Sequence, residues 1–439
     1  MSSGITVGID IGTTSVKALA VDGDGEIVAR ARVPHDIHAP NVDVFEHDAK
    51  QAWVDGPRAA LEQLGVADFD GVAIATMVPS FTAVDEGGVP YTPGLLYGDH
   101  RGRAGRNEAD LLNSREFRSM LEWTAKQAPE AHGYWTAPAV AAAALGGEPV
   151  VDYGTAFALA PLWDGVWQVD ALAEIGVSPE QMPAVASDEE AVGRICGAAH
   201  GAGMADAWAE ATVAGINSPG DVMVICGTTL IVWCVSGAPS MVPGMWTIPH
   251  PLGELSILGG ASNAGGMFVN WARRAFGTPS GDALPSDVPI FVPYLKGERT
   301  PVHDISLRAS LHGLDIGHDA AAITRSAYEA AAFVARRLIE LSGVASSRIV
   351  ASGGGTHDEH WMRALADCTG LPVDLVAVPE GAALGAAWQA RVVAGLDEKH
   401  DVVRWTKHGR RYEPDPQWAG PCEERYHRWL DLASVAREA

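Results

Sequence analysis

Asp10-Ile11-Gly12-Thr13-Thr14, followed closely by Lys17, places a carboxylate, a glycine turn with two hydroxyls and an ammonium in one short stretch. β-Rich apolar runs enter and leave the Gly-Thr-Thr, which reads as a strand, a tight hairpin and a returning strand. Glycine permits the positive φ that such a hairpin can need. Successive backbone N–H groups with threonine hydroxyls then form a concave donor surface suited to phosphate oxygens. Gly227-Thr228-Thr229 repeats the pattern later in the chain, so each copy is expected to hold one end of a polyphosphate. A single Gly-Thr-Thr is more often an ordinary turn, and it is the spaced repeat that carries the reading. The copies differ where Asp10 faces Ile225 in the matching place. Only one half therefore brings a carboxylate, as expected if a single divalent cation, Mg²⁺, sits between them with Asp10 as its ligand. Lys17 adds a positive group to the first copy only.

Other residues invite two readings each. Asp206 follows the glycine-rich turn His200-Gly201-Ala202-Gly203 and opens a helix-prone stretch. Taken alone it offsets a helix dipole, worth roughly 0.3–1 kcal/mol, but its place just before the second hairpin strand puts it where a first domain should end. Asp99 and Arg101 stand at the end of the run from Gly94, where ligands are commonly met, although a solvated ion pair explains them about as well. Gly259 to Gly266, with Gly260, and Gly353-Gly354-Gly355 read as glycine loops opening helices; the triplet lets a flat ring lie on bare backbone, or serves as a plain strand-to-helix turn. Thr356 and Glu359 have capping-box spacing. His357 and His360 lack a second cluster at metal-binding spacing and read as exposed first-turn residues. No G-x-S-x-G or H-E-x-x-H suggests hydrolase chemistry.

The elements that must position these groups follow from periodicity. Ile5 to Val33 reads as an antiparallel meander turning at Asp22-Gly23-Asp24-Gly25. Asp48 to Leu64 is helical with a kink at Gly56-Pro57, and Val72 to Thr76 is a buried strand. Arg106 to Leu145 is helix-prone, and Asp319 to Leu341 is a long core helix. Gly381 to Ala387 is a tightly packed helix, and a terminal helix carries Trp418 and Trp429 with Trp405 on its approach. Aromatics at that spacing are more often core, while the same stretch also offers a surface for a homodimer.

A chain of 439 residues exceeds the size at which one core keeps growing, so two domains, 1–220 and 221–439, are expected. Hydrophobic residues at 47% and charged residues at 20% place it among well-packed globular proteins. A net charge of −24 argues against nucleic acid or an anionic membrane as partner. The five cysteines are odd in number and show no C-x-x-C, which suggests reduced core thiols and a cytoplasmic protein. No targeting or spanning segment is expected.

Assembled in order, these segments resemble the FGGY carbohydrate kinases, most closely their xylulokinase branch, over nearly the whole length. They are the D-x-G-T-T-x-x-K opening, Leu96 to Arg101, Gly203 to Gly215, Pro293 to Pro301, the Gly353 triplet and Glu380 to Gly385. The resemblance implies an α/β protein of two actin-like, ribonuclease-H-like domains around a central cleft, sugar held mainly by the first and ATP mainly by the second. It implies ATP and Mg²⁺ as cofactors and a small sugar or polyol, a ketose first, as substrate. Asp206 falls on the family's catalytic base, Asp10 on the acid near magnesium, and Thr13 and Thr228 on the phosphate hairpins. Gly354 and Gly355 fall on the loop under the base, and Asp99 on an acid beside the sugar.

Departures from the family pattern cluster beside the sugar. Met77-Val78-Pro79-Ser80 stands where the branch usually has Gln-Met-His-Gly, so Val78 and Pro79 replace polar contacts. Ala207 follows the base where an amide is common, Ala309 replaces a glycine, and the chain is short between Arg106 and Val151. A catalytically altered sugar sensor of the same fold is the alternative.

Overall fold

The computed structural model describes residues 4–41, 43–103, 114–277 and 281–435. The helix-prone reading from Arg106 as far as residue 113 lies outside the described residues. The protein is α/β and divides into two compact units. One is built from the residues up to Val213 together with Glu380–Thr406, the other from Ala214–Pro379 with Lys407 onward. The expected contiguous division is thus corrected: the helix Gly381–Val393 and the turn of helix Lys399–Trp405 join the first unit. Small residues are the reason. A Cβ added at Gly8 would lie 1.9 Å from the Ala383 carbonyl oxygen, one at Gly71 2.2 Å from that of Ala390, and one at Gly385 1.9 Å from that of Ala209. Helix and sheet therefore touch backbone to backbone, over a seam of Ala73, Ala75, Ala209, Ala382, Ala386 and Ala390.

The first unit's main sheet runs Gly193–Ile195, Ala198–His200, Gly71–Thr76, Thr6–Ile11, Ser15–Val21, Ile27–Pro34, and Met204–Ala205 also pairs with Gly71–Thr76. The antiparallel meander expected from Ile5 to Val33 is present. At its second turn Gly25 has φ 79°, and the Asp22 carboxylate accepts from the N–H groups of Asp24 and Glu26, an Asx arrangement that fixes the hairpin. The stretch before Leu64 is a π-helical segment, Gln51–Asp55, followed by an α-helix, Gly56–Leu64, with Pro57 in its first turn.

The second unit's sheet runs Trp246–Pro249, Ser256–Ser262, Leu230–Ser236, Asp221–Cys226, Arg348–Ser352, Val373–Val376, His408–Tyr412. In both units the strand entering Gly-Thr-Thr is antiparallel to the strand leaving it and parallel to a third, Gly71–Thr76 in one and Arg348–Ser352 in the other. The long core helix Ala320–Ser342 is capped by Asp319, which accepts from Ala321 and Ala322 N–H, and ends at Gly343 in the left-handed conformation. Gly259 and Gly260 correct the loop reading, since they lie inside the buried strand Ser256–Ser262. Trp429 is buried and the Arg325 guanidinium lies 3.6 Å from the Trp418 ring centroid, so this part of the terminal helix packs inward. All five cysteines are free thiols, four buried and Cys196 exposed. Among the described residues no helix is long and apolar enough to cross a membrane.

Candidate active site

Strand register brings the first unit's chemical groups to one edge. Ile11 pairs with Thr76 and Thr76 with Ala205, so Gly12, Met77-Val78 and Asp206 leave the sheet side by side at the carboxyl ends of parallel strands, where α/β folds place ligands. Gly203, at φ 82°, lets the chain pass over the Ile74 carbonyl, from which a Cβ would be 2.6 Å away. Asp10 opposes Lys17 across the hairpin, and Lys17 Nζ lies 3.1 Å from Asp10 Oδ2. The Asp10 charge is the main reason the Lys17 ammonium is held above its usual value, so this cation is largely matched by its own acid.

Asp206 opens the helix Asp206–Val213 and is half-buried. Burial first, and then the Asp10 charge, push its carboxyl up to about 7, against the Ala207 N–H and Lys17, which pull it down. A carboxyl so raised is poised near neutrality, the range that suits a general base. Its Oδ1 accepts from the adjacent Ala207 N–H at 2.7 Å. Capping aspartates in this chain bond differently, Asp319 to Ala321 and Ala322, Asp358 to His360 and Trp361, which weighs against a capping role for Asp206. Asp358 also corrects the Thr356–Glu359 box; Thr356 Oγ1 donates instead to the Gly353 carbonyl.

The hairpin glycines correct a second expectation, because neither Gly12 nor Gly227 is among the residues of positive φ. A Cβ at Gly12 would meet nothing nearer than 3.4 Å, and one at Gly227 nothing nearer than 3.5 Å. Neither backbone conformation nor internal space demands glycine there. Gly354 is similar, with nothing within 4 Å. Gly355 and Gly260 are glycines for packing, their Cβ positions 2.4 Å from Trp361 and 2.2 Å from Thr300.

Asp99 and Arg101, expected beside the substrate, are tied to each other and to Glu46. The Asp99 carboxylate, buried, accepts from Phe45 N–H, Arg101 N–H and the Arg101 guanidinium. Arg101 also pairs with Glu46 and stacks 4.4 Å from the Trp123 ring centroid. Pro79 is buried and Val78 half-buried, presenting apolar surface beside Met77. Thr13 Oγ1 meets Tyr97 OH at 3.0 Å, the Thr13 carbonyl meets His47 Nε2 at 2.7 Å, and His35 N–H donates to the Thr14 carbonyl. Sequence reading gave Glu46, His47 and Tyr97 no role. Each acts across a fold contact with no periodic or motif signal.

In the second unit Ile225 pairs with Ser352, so Gly227 and Gly353-Gly354 leave that sheet together. Gly353, φ 84°, would place a Cβ 2.9 Å from the Cys226 carbonyl carbon. The Gly227 and Thr228 carbonyls accept from Gly266 and Met267 N–H, at the start of the helix Gly266–Phe276. Glu298, unassigned by sequence reading, accepts from Ser262 Oγ and from the N–H groups of Asn263 and Arg299; burial pushes its carboxyl up to about 7. It straps the Pro293–Pro301 segment to the end of the strand beside the hairpin.

The residues fit the groups the resemblance implies. Asp10 and Asp206 repel each other, a strain that a divalent cation at Asp10 relieves. Gly12 in the first unit, and Gly227 and Gly354 in the second, carry no side chain that would keep a phosphate oxygen or a flat ring from their backbone. His357 and His360 belong to no metal-ligating group among the described residues; Glu329, Cys368 and Cys422 form one, but Arg425 already bonds Glu329 there.

Family models for the FGGY family of carbohydrate kinases match this chain, the N-terminal domain over residues 5–109 and the C-terminal domain over 222–394. A xylulose kinase of Escherichia coli is 25% identical, covering 89% of this chain and 90% of its own length. A glycerol kinase of Citrifermentans bemidjiense is 28% identical, covering 96% of both. The crystal structure of a xylulose kinase from Rhodospirillum rubrum superposes with a TM-score of 0.81 at 25% identity, covering 99% of both chains. The fold is thus the two-domain actin-like one, and the chain belongs to the FGGY family of carbohydrate kinases, with xylulose kinases among its relatives.

Proposed function

We propose that this carbohydrate kinase phosphorylates a hydroxyl of a small sugar or polyol, a ketose first, with ATP as donor and Asp206 as general base. The observation that supports this most is the place of Asp206, leaving the sheet beside the first hairpin and bonded unlike the chain's capping aspartates. In this reading Asp206 accepts the hydroxyl proton as the sugar oxygen bonds the γ-phosphorus and the bond to the β–γ bridging oxygen breaks, giving a phosphate ester and ADP. Mg²⁺ bound at Asp10 supplies charge neutralisation to the transferred group. The first hairpin orients donors toward the transferred phosphoryl, and the second hairpin with Gly354 holds the nucleotide.

Val78 and Pro79 offer no side-chain donor, so xylulose is expected to be a poorer substrate than deoxy sugars or short polyols, because an apolar wall does not reward a hydroxyl. ADP release measured across ketoses, aldoses and polyols tests both points. Efficient turnover of xylulose would show that other groups replace the missing contacts. The same apolar wall motivates the second reading, a sugar sensor of this fold, which requires binding without ADP release for every sugar of the panel.

A further inference from the structure

The first hairpin is held by a side chain whose protonation the structure dictates. Trp53 Nε1 lies 3.1 Å from His47 Nδ1. An indole N–H only donates, so Nδ1 accepts and the ring proton sits on Nε2, which therefore donates to the Thr13 carbonyl at 2.7 Å. His47 is 1% and Trp53 0% exposed, and burial pushes the His47 imidazole down to about 4, so the ring is neutral under ordinary conditions. His35, its ring centroid 4.5 Å from that of His47, donates its backbone N–H to Thr14. A trans planar peptide points its N–H opposite to its C=O. Drawing the Thr13 carbonyl onto His47 therefore turns the Thr14 N–H the other way, and the His35 bond does the same for Ser15 N–H.

We propose that the Trp53–His47 relay is a positioning device for phosphoryl transfer, in which His47 anchors the Thr13 carbonyl and thereby aims the Thr14 N–H at the transferred phosphate. This rests on the reading of the first hairpin as a phosphate site. His47 itself touches no substrate. Its loss lets the Thr13–Thr14 peptide rotate, and misplacement on the order of 1 Å costs up to about 10²-fold in rate.

The test compares His47→Phe, His47→Gln, Trp53→Phe and Gly12→Ala in the full chain, with kcat and KM for sugar and ATP and with ring ¹⁵N NMR of the histidines. His47→Phe is expected to lower kcat roughly 10- to 100-fold with sugar KM nearly unchanged. His47→Gln, whose amide N–H reaches toward the Nε2 position, is expected to restore most of it. NMR is expected to show the His47 proton on Nε2 in the wild type, and both tautomers in Trp53→Phe. A purely structural role predicts instead a lower melting temperature without rescue by glutamine. Wild-type kcat in folded His47→Phe, or a wild-type proton on Nδ1, overturns the proposal; should His47→Phe not fold, the glutamine variant and the tautomer decide it. Gly12→Ala separates the two failures. Unchanged ATP kinetics there removes the phosphate reading of the hairpin, whereas a slowed Gly12→Ala beside a full-speed His47→Phe removes the relay alone.

Discussion

At Thr13 the hairpin carbonyl is met by an imidazole, and at Thr228 by the backbone N–H of Met267. The first Gly-Thr-Thr lies beside Asp10, Lys17 and Asp206 and is held by the His47 ring, the Tyr97 hydroxyl and the backbone N–H of His35. The second sits on a helix start and carries Ile225 where the first has Asp10. Identical turn residues thus serve two environments, one beside an acid–lysine pair and held largely by side chains, one without that pair and held by the N–H groups of a helix start. Transferring a phosphoryl group needs charge and a base, while holding a nucleotide needs shape and donors. The division of charge between the hairpins matches the division of labour in the proposed reaction.

Variants can break this comparison. Asp206→Asn carries the largest expected effect, a loss of turnover of about 10²- to 10⁴-fold with nucleotide binding to the second unit unchanged. A capping role predicts little change in rate. The sign of its stability effect is also set. A carboxyl raised to about 7 from the ordinary value near 3.8 favours the folded state below the lower value, and that stability is lost as pH rises through about 7. Metal-free Asp206→Asn should therefore match or exceed the wild-type melting temperature at about pH 8, with the gain shrinking toward pH 4. Full turnover in folded Asp206→Asn under saturating sugar and MgATP would defeat the base assignment.

Asp10→Asn comes next. Turnover should need at least about tenfold more Mg²⁺, the scale on which metal sites respond to losing even a supporting partner, while ATP binding without metal changes little. An unaltered Mg²⁺ titration would remove Asp10 from the metal. The smallest effects separate two neighbouring glycines of the second unit. Gly354→Ala should keep its melting temperature and raise KM for ATP, because its Cβ meets nothing of the chain. Gly355→Ala should lose roughly 1–3 kcal/mol to overpacking against Trp361, read by chemical denaturation. A reversed pattern would mean that Gly354 is the structural glycine of the pair.

Local rules carried much of the architecture. The meander, the two hairpins and the long core helix all rest on interactions within a few residues, which sequence spacing states directly. The asymmetry of Asp10 and Ile225 was equally plain, as was Asp206 at a helix start. Contacts between distant segments were not legible. The alanine seam that carries Glu380–Thr406 into the first unit depends on which small faces meet. The raised pKa of Asp206 depends on its burial and then on Asp10 lying across a strand register. The enclosure of Asp99 and Arg101 depends on Glu46, and the Thr13 carbonyl on a histidine in a short strand elsewhere. The glycines show the division most clearly: the sequence marks Gly12, Gly227, Gly260, Gly354 and Gly355 alike, and only the space around each Cβ decides which serve packing and which leave backbone open to a ligand.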